Sequence, residues 1–223
     1  MLGLLTDGFE QFKHRTKTAW PIILFNYNLP PEERFWKDNI ILVGIISGPK
    51  KPCNFNSFLW PLVQELLQLA IGVQAFDSLS KSLFLLHAYV ILVFGDIPAV
   101  SMMMQMKGHN AKLPCHMCEI KGIWNDISKS HYIPLNQDNF SSASPHQYNL
   151  SALSLRTYER FIQQAEEVQN AVTAAASDWL ATIYGIKDIP LLSSLTSLSF
   201  PTSFPYNFMH LIWANLIPNL ILM

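Results

Sequence analysis

Three apolar runs near the start of the chain predict β-strands. They cover residues 1–5, 20–27 and 39–46, and the last two are rich in β-branched and aromatic side chains. Each run is apolar on both faces, which is typical of strands buried inside a sheet. Because only short connections separate the runs, we expect an antiparallel three-strand meander.

A helix and a second long apolar run follow the meander. Apolar residues recur at helical spacing over residues 59–71, with Asn56 or Ser57 as the N-cap and Gly72 as the end. Residues 83–94 then predict one buried strand. A meander, a helix and a returning central strand parallel to the first strand are typical of a ribonuclease-H-like mixed sheet, so we expect an α/β fold of that type.

The remainder of the chain combines an irregular segment with helices. A Met-rich helix is predicted over residues 99–106, and we interpret its methionines as core filling. Helical spacing returns over residues 154–183, and a last short helix is predicted over residues 206–216. We therefore expect helices packed on the sheet and three parts: a first part of the core (1–107), a Cys/His-containing irregular insertion (108–150) and a truncated helical C-terminal part (151–223).

Composition limits the classes of function. Of the 223 residues only 14% are charged, and the net charge is −1, so no global basic field exists to attract nucleic acid and any such contact must be local. Three cysteines exclude a disulfide scaffold and fit a reducing compartment. The longest apolar run is about 12 residues, against about 20 for a bilayer span, so we expect no membrane partner. The chain stops within an apolar run, and we therefore expect a fragment.

Two aspartates stand where predicted strands end. Asp7 and Asp96 each follow an apolar run and precede a glycine or proline turn. If the first and the returning strands are parallel neighbours, both carboxylates lie at one end of the sheet. Paired carboxylates at such a position are typical ligands of Mg²⁺ or Mn²⁺. The alternative is that each aspartate only caps the turn or helix that follows it.

Cys115 and Cys118 form a C-x-x-C pair in the irregular segment. The sequence has no second pair, so His109, His131 and His146 are the candidates to complete a Cys₂His₂ zinc set. The alternatives are a structural pair of free thiols and, less favoured, a redox pair, since the cysteines do not open a helix after a strand.

A series of short motifs occurs in one order along the chain. They are Thr6-Asp7-Gly8-Phe9, Trp20-Pro21, Tyr27-Asn28-Leu29-Pro30-Pro31, Gly48-Pro49-Lys50-Lys51-Pro52, Phe58-Leu59-Trp60-Pro61-Leu62, Phe94-Gly95-Asp96-Ile97-Pro98-Ala99, Lys107-Gly108-His109-Asn110, Cys115-His116-Met117-Cys118, His131-Tyr132-Ile133-Pro134-Leu135 and Phe204-Pro205-Tyr206-Asn207-Phe208-Met209-His210. The series closely resembles the transposases of CACTA-type (En/Spm-like) DNA transposons, in the form common in fungal genomes.

The resemblance implies a ribonuclease-H-like catalytic core that cleaves DNA and transfers strands with Mg²⁺ or Mn²⁺. Asp7 matches the first acid of the family's metal-binding triad and Asp96 the second. Cys115, Cys118 and His131 match a Cys/His group, and with His109 they are the expected zinc ligands. The expected partner is DNA at transposon ends, with self-association as a further expectation. The expected location is the nucleus, or the cytoplasm for a non-functional chain.

Two departures from the family pattern affect the expected activity. Asn207 stands where the family has Asp, and Ala214 stands where it has the Glu of the third acid. Alanine cannot bind a metal, and the neighbouring Asn215 is a poor replacement for a carboxylate. We therefore expect a partial and degenerate transposase core that is inactive. The alternatives are a non-enzymatic, zinc-clipped remnant that binds DNA or protein, and an unrelated metal-dependent nuclease of the same fold.

Overall fold

A computed structural model of the chain describes residues 1–10, 18–48, 52, 54–133, 153–207 and 217. The chain divides into two compact units. Unit 1 comprises Met1–Ala99, Leu191–Ser199 and Ser203–Met223, and unit 2 comprises Val100–Pro190 and Phe200–Thr202. The three parts expected from the sequence, 1–107, 108–150 and 151–223, stay a prediction.

Unit 1 contains a mixed sheet and one long helix. Its elements in chain order are β1 (Leu2–Thr6), β2 (Phe9–Glu10), β3 (Thr18–Asn26), α1 (Pro31–Arg34), a 3₁₀ turn (Lys37–Asn39), β4 (Ile40–Gly48), α2 (Phe55–Ile71), β5 (Val73–Asp77), β6 (Ser82–Leu86), β7 (Val90–Phe94), the start of α3 (Ile97–Met103) and a 3₁₀ turn (Leu191–Ser194).

The central sheet of unit 1 has the strand order β4-β3-β1-β7. β3 is antiparallel to both β1 and β4, and the short β2 pairs with the beginning of β3. β7 returns after α2 and lies parallel to β1. The meander and the returning parallel strand are therefore present in a mixed α/β unit, and the assignment of this sheet to the ribonuclease-H-like fold stays a prediction.

Gly3 allows two aromatic rings to meet across β1. A methyl group at Gly3 would lie 2.5 Å from Cε2 of Tyr27 and 3.0 Å from Cε2 of Phe94. These two rings are stacked, with centroids 6.1 Å apart and planes at 14°. Any side chain at position 3 would therefore separate the rings that pack over the middle of the sheet.

The helix α2 packs one apolar face and exposes the other. Its buried residues are Phe55, Leu59, Leu62, Val63 and Leu66. The helix begins earlier than predicted, because Asn54 rather than Asn56 or Ser57 is the N-cap and accepts a 3.3 Å hydrogen bond from the Ser57 N–H. It ends at Gly72, as expected, and this residue has a φ of 117° that favours glycine.

The apolar run over residues 83–94 is two strands, which corrects the expectation of one. β6 pairs with β5 in a hairpin and all its residues are exposed, whereas β7 belongs to the central sheet. Residues 87–89 separate the two strands. There the Ala88 N–H donates to the Leu69 carbonyl, and the Tyr89 carbonyl accepts from the Leu2 N–H. The sequence does not predict this interruption, because a continuous apolar run shows only which residues are hydrophobic and not which backbone groups form hydrogen bonds.

Unit 2 contains the rest of α3, a small hairpin and two helices. The hairpin pairs β8 (Ile123–Asn125) with β9 (Ser130–Tyr132), and the helices are α4 (Tyr158–Gln169) and α5 (Ala174–Tyr184). The predicted helical stretch 154–183 is therefore two helices, each with a threonine N-cap. The methionines at 102–104 and 106 are buried, which confirms their interpretation as core filling.

Two further observations concern helices. The helix predicted over residues 206–216 lies almost entirely outside the described residues. In the part of the chain that the structure describes, no helix combines the length and apolar character needed to span a bilayer.

Candidate metal sites

Asp7 and Asp96 follow neighbouring parallel strands. The last register pair between β1 and β7 is Leu5 with Phe94, and each aspartate lies two residues beyond its member of that pair. Neighbouring strands are about 4.8 Å apart, so the two backbone positions share the carboxyl edge of the sheet. Both residues are half-buried. The prediction that their side chains bind one cation stays a prediction.

Asp96 also caps α3. Its Oδ1 accepts a 2.7 Å hydrogen bond from the backbone N–H of Ala99, in the first turn of the helix. The alternative given for this residue, a helix cap, is therefore present in the structure. A capping bond uses one carboxylate oxygen and is compatible with a cation on the other, since a carboxylate accepts at both oxygens.

The turn after Asp7 is shaped by an aromatic contact. A methyl group at Gly8 would lie 2.6 Å from Cζ2 of Trp20, so the backbone after Asp7 passes directly over the indole ring. Trp20 is buried and lies on β3. Glycine at position 8 is thus required for the close approach of this turn to the sheet.

The donor set at this edge suits a hard cation but has two members. Carboxylate oxygens are the ligands that Mg²⁺ and Mn²⁺ prefer. Within the described ranges, no group of three His, Cys, Asp or Glu side chains lies close enough together to hold a metal. Position 207 is asparagine, and position 214, where the third acid is expected, lies outside the described residues.

The cysteine pair forms a tight loop in unit 2. The Sγ of Cys115 accepts hydrogen bonds of 3.3 Å from the backbone N–H groups of Met117 and Cys118. No disulfide joins the two cysteines. Burial is the main cause that raises the pKa of Cys118 to about 11, and the nearby Cys115 adds to the increase. The sulfur of Cys115 thus accepts from two backbone N–H donors, which suits a thiolate ligand.

The histidines predicted as zinc ligands do not join this loop in the part of the chain that is described. His131 lies on β9 with its ring edge-on to Trp124, at a centroid distance of 5.0 Å. His109 lies in an exposed turn, and His146 falls outside the described residues. The cysteines therefore supply half of a zinc set, and the zinc site with His109 and His131 stays a prediction.

Arg156, which the sequence pattern did not predict as a site residue, is buried beside the cysteine loop. It is 5% exposed. Its Nε donates to the carbonyl of Cys115 at 3.1 Å, and its Nη2 donates to the carbonyl of Tyr184 at 3.0 Å. Burial lowers the pKa of Arg156, and the charges of Glu119 and of the two cysteines oppose that shift. A lone arginine in an irregular segment carries no sequence signal for such a position.

Glu119, whose charge acts on this arginine, is hydrogen-bonded to other side chains. Glu119 forms an ion pair with Arg160 at 3.1 Å and accepts a 3.3 Å hydrogen bond from the Gln164 amide. By contrast, Nη1 of Arg156 is buried and has no hydrogen-bond partner among the described residues. One terminal nitrogen of the guanidinium therefore binds no acceptor among these residues.

Residues 1–140 match the sequence model of a family described as Transposase family tnp2. The match spans more than half of the 223 residues. The chain belongs to this transposase family. Asp7, Asp96, Cys115 and Cys118 of this tnp2 chain lie within the matched residues, whereas Arg156 lies beyond them. No curated protein matches the chain.

Proposed function

We propose that this tnp2 chain is the catalytic core of a CACTA-type DNA transposase with a ribonuclease-H-like sheet. In this proposal Asp7 and Asp96 bind Mg²⁺ or Mn²⁺ at the carboxyl edge of β1 and β7. The observation that carries the proposal is the parallel register of these strands, in which both aspartates lie two residues beyond the pair Leu5 and Phe94. Family membership supports a transposase and DNA as its general partner.

The ancestral reaction would be DNA cleavage followed by strand transfer. Water attacks the phosphorus of a phosphodiester, the bond to the 3′ oxygen breaks, and a 3′-hydroxyl is released. That hydroxyl then loses its proton and attacks a phosphodiester of the target DNA, whose own 3′ oxygen leaves. Asp7 and Asp96 would hold a divalent cation, which when bound would activate the attacking oxygen and neutralise charge on the phosphate.

We further propose that this chain has lost activity. Ala214 stands at the position of the third acid, and Asn207 is also neutral where the family has Asp. Two carboxylates leave a cation more weakly held and less well neutralised than three. The site of action of an intact relative would be the nucleus, where DNA of transposon ends is available; a non-functional chain could remain in the cytoplasm.

A second candidate function is a non-enzymatic remnant stabilised by zinc, which binds DNA, another protein or its own kind. The favouring observation is the Cys115 loop, where two backbone N–H groups already point at the sulfur. Elemental analysis tests the zinc: about one zinc per chain is expected from a Cys₂His₂ set, and none in the Cys115→Ser/Cys118→Ser variant. Zinc retained by that variant would contradict the assignment.

A plasmid-nicking assay with Mn²⁺ tests the catalytic proposal. We expect no nicking by the native chain and nicking by the Ala214→Glu variant, tested alone and with Asn207→Asp. Adding Asp96→Asn to the active variant should reduce nicking by about a hundredfold or more, because a metal ligand contributes several kcal/mol to charge stabilisation. Equal nicking by the native chain and Ala214→Glu would mean that the third acid is elsewhere. Activity that survives Asp96→Asn would refute the metal site.

A further inference from the structure

The β8–β9 hairpin of unit 2 presents an exposed tryptophan. Its two strands pair in an antiparallel register that places Trp124 opposite His131. The two rings meet edge-on, with centroids 5.0 Å apart and planes at 66°. Trp124 is nevertheless 47% exposed, and Ile127 in the turn is 96% exposed. The hairpin therefore offers an aromatic surface to solvent on a regular two-stranded support.

Hydrogen bonds within the turn hold this tryptophan in place. The Nε1–H of Trp124 donates to Oδ1 of Asp126 at 2.9 Å. The side-chain oxygen of Asn125 accepts from the backbone N–H groups of Ile127 and Ser128, at 2.8 and 3.2 Å. Because the polar edge of the indole is already bonded, the exposed remainder of the ring is an apolar surface that suits stacking.

The base of the hairpin is bonded to the segment that carries Lys112. The Gly122 N–H donates to the Lys112 carbonyl at 2.7 Å, and the His131 N–H donates to the Asn110 carbonyl at 3.4 Å. A methyl group at Gly122 would lie 2.9 Å from Cβ of His131, so glycine allows the close approach of the backbone there. Lys112, which is exposed, therefore belongs to the same surface as the hairpin.

This surface is basic in a chain that is slightly acidic. Residues 107–132 contain four lysines and two acidic residues, a net charge of +2 with the histidines neutral, whereas the whole chain has −1. Three of the lysines that lie on or beside the hairpin are exposed: Lys112, Lys121 and Lys129. Of the two acids, Glu119 is paired with Arg160. Asp126 lies 3.9 Å from Lys129, and solvent weakens this exposed pair. Polyanions such as DNA are attracted to a local surface of this kind.

We propose that the β8–β9 hairpin binds an unpaired DNA strand, with Trp124 stacked on a base and with Lys121 and Lys129 contacting the flanking phosphates. This inference rests on DNA as the partner in the proposed function, and it uses neither candidate metal site. An aromatic side chain stacks on the open face of a base, which a continuous duplex does not offer along its length. Lysine contacts to phosphate add affinity without reading sequence.

Fluorescence anisotropy of a labelled oligothymidylate of about 15 nucleotides, within the length that one binding module covers, tests the stacking on the full chain. Trp124→Ala should raise the dissociation constant about 5–150-fold, the loss typical of one stacked base. The matched control is Trp179→Ala, which removes a 63% exposed tryptophan on α5 of the same unit and should change the constant less than about twofold. An unchanged constant in Trp124→Ala, or an equal loss in Trp179→Ala, would overturn the proposal.

A second variant separates stacking from support of the hairpin. Trp124→Phe keeps an aromatic face but removes the indole N–H that bonds to Asp126. It should bind the oligothymidylate within about fivefold of the native chain, because stacking tolerates any aromatic ring. Of the six tryptophans of the chain, Trp124 is the one that the DNA should quench, so the quenching of tryptophan fluorescence should be lost in this variant. Quenching that persists in Trp124→Phe, or binding as weak as that of Trp124→Ala, would refute the stacking.

The salt dependence of binding tests the two lysines. Lys121→Gln and Lys129→Gln should each reduce the slope of log K against log salt by about 0.7, the value for one phosphate contact on a single strand. Lys81→Gln is the matched control, because Lys81 lies in the turn of the β5–β6 hairpin with a φ of 55°, close to the 50° of Lys129. Slopes that both hairpin variants leave unchanged would refute the phosphate contacts.

A blunt duplex of the same length distinguishes the form of DNA. The native chain should bind it at least about tenfold more weakly than the single strand, and equal binding would overturn the preference for unpaired bases. A native chain that binds neither form at low salt would refute this inference together with DNA as the partner of this chain. An unchanged constant in Trp124→Ala would refute the hairpin site alone and leave the nicking proposal, which depends on Asp7 and Asp96.

Discussion

The carboxylate of Asp96 accepts a 2.7 Å hydrogen bond from the backbone N–H of Ala99. The same side chain therefore serves the fold as a helix cap and, in our proposal, the chemistry as a metal ligand. These two roles respond differently to substitution, because asparagine caps a helix about as well as aspartate but carries no charge.

The first prediction separates the two roles of Asp96. Asp96→Ala should lower the free energy of unfolding by about 0.5–2 kcal/mol through loss of the cap, whereas Asp96→Asn should change it much less. Mn²⁺ should raise the unfolding temperature of the Ala214→Glu chain. Either Asp96 substitution, added to that chain, should abolish this rise. Thermal unfolding with and without Mn²⁺ measures both effects. A Mn²⁺ response retained by Asp96→Asn would leave the aspartate with its capping role alone.

The second prediction concerns the packing of the central sheet. Gly3→Ala should lower the free energy of unfolding by about 1–3 kcal/mol, because its methyl group would lie 2.5 Å from the Tyr27 ring. Gly44→Ala is the matched control on β4, since nothing lies within 4 Å of the methyl group there. Urea unfolding followed by tryptophan fluorescence measures both. Equal losses in the two variants would mean that strand conformation, not ring packing, determines the cost.

The third prediction concerns the thiol of Cys118 in the metal-free, reduced chain. Burial raises its pKa to about 11, so the reactive thiolate is scarce at neutral pH. Alkylation of Cys118 by iodoacetamide should stay slow near pH 8 and accelerate through about pH 11, as followed by mass spectrometry of the Cys118 peptide. Zn²⁺ at neutral pH should protect both cysteines of the loop, since a bound thiolate is not free to react.

The same shift has a consequence for stability. The folded state holds the Cys118 proton more tightly than the unfolded state, whose thiol has the ordinary pKa near 9.0. The stabilisation from this group is therefore fully present below about pH 9 and is lost as the pH rises through about 11. A half-maximal alkylation rate near the ordinary thiol pKa would contradict both statements.

The positions of β1, β3 and β4 were predictable because each is a run that is apolar on both faces, but the expectation that all three are buried is wrong for β4, whose residues are mostly exposed. The observed β1, β3 and β4 begin and end within two residues of the predicted runs. The interruption of the long apolar stretch over residues 83–94 was not predictable in the same way. Residues 87–89 interrupt it through backbone hydrogen bonds to Leu69 and Leu2, and such long-range bonds leave no local pattern in the sequence.

The candidate site residues also include some that the sequence predicts and one that it does not. Asp7 and Asp96 stand out in the sequence because each follows an apolar run and precedes a glycine or proline turn. The pairing of β1 with β7 then places their backbone positions at one sheet edge. Arg156 could not be predicted. Its burial depends on pairing with Met117 and on a carbonyl of α5, and both partners are distant in the sequence.

The pairing of β1 with β7 also determines when the acidic edge can exist. β3, β4, α2 and the β5–β6 hairpin lie between the two strands along the chain, so the pairing of Leu5 with Phe94 closes a long loop. Closing so long a loop is entropically expensive, and contacts of this kind make folding slow. The cation site that we propose at this edge therefore cannot form before the nascent chain extends through Asp96, and a product that terminates before Val90 lacks both β7 and Asp96.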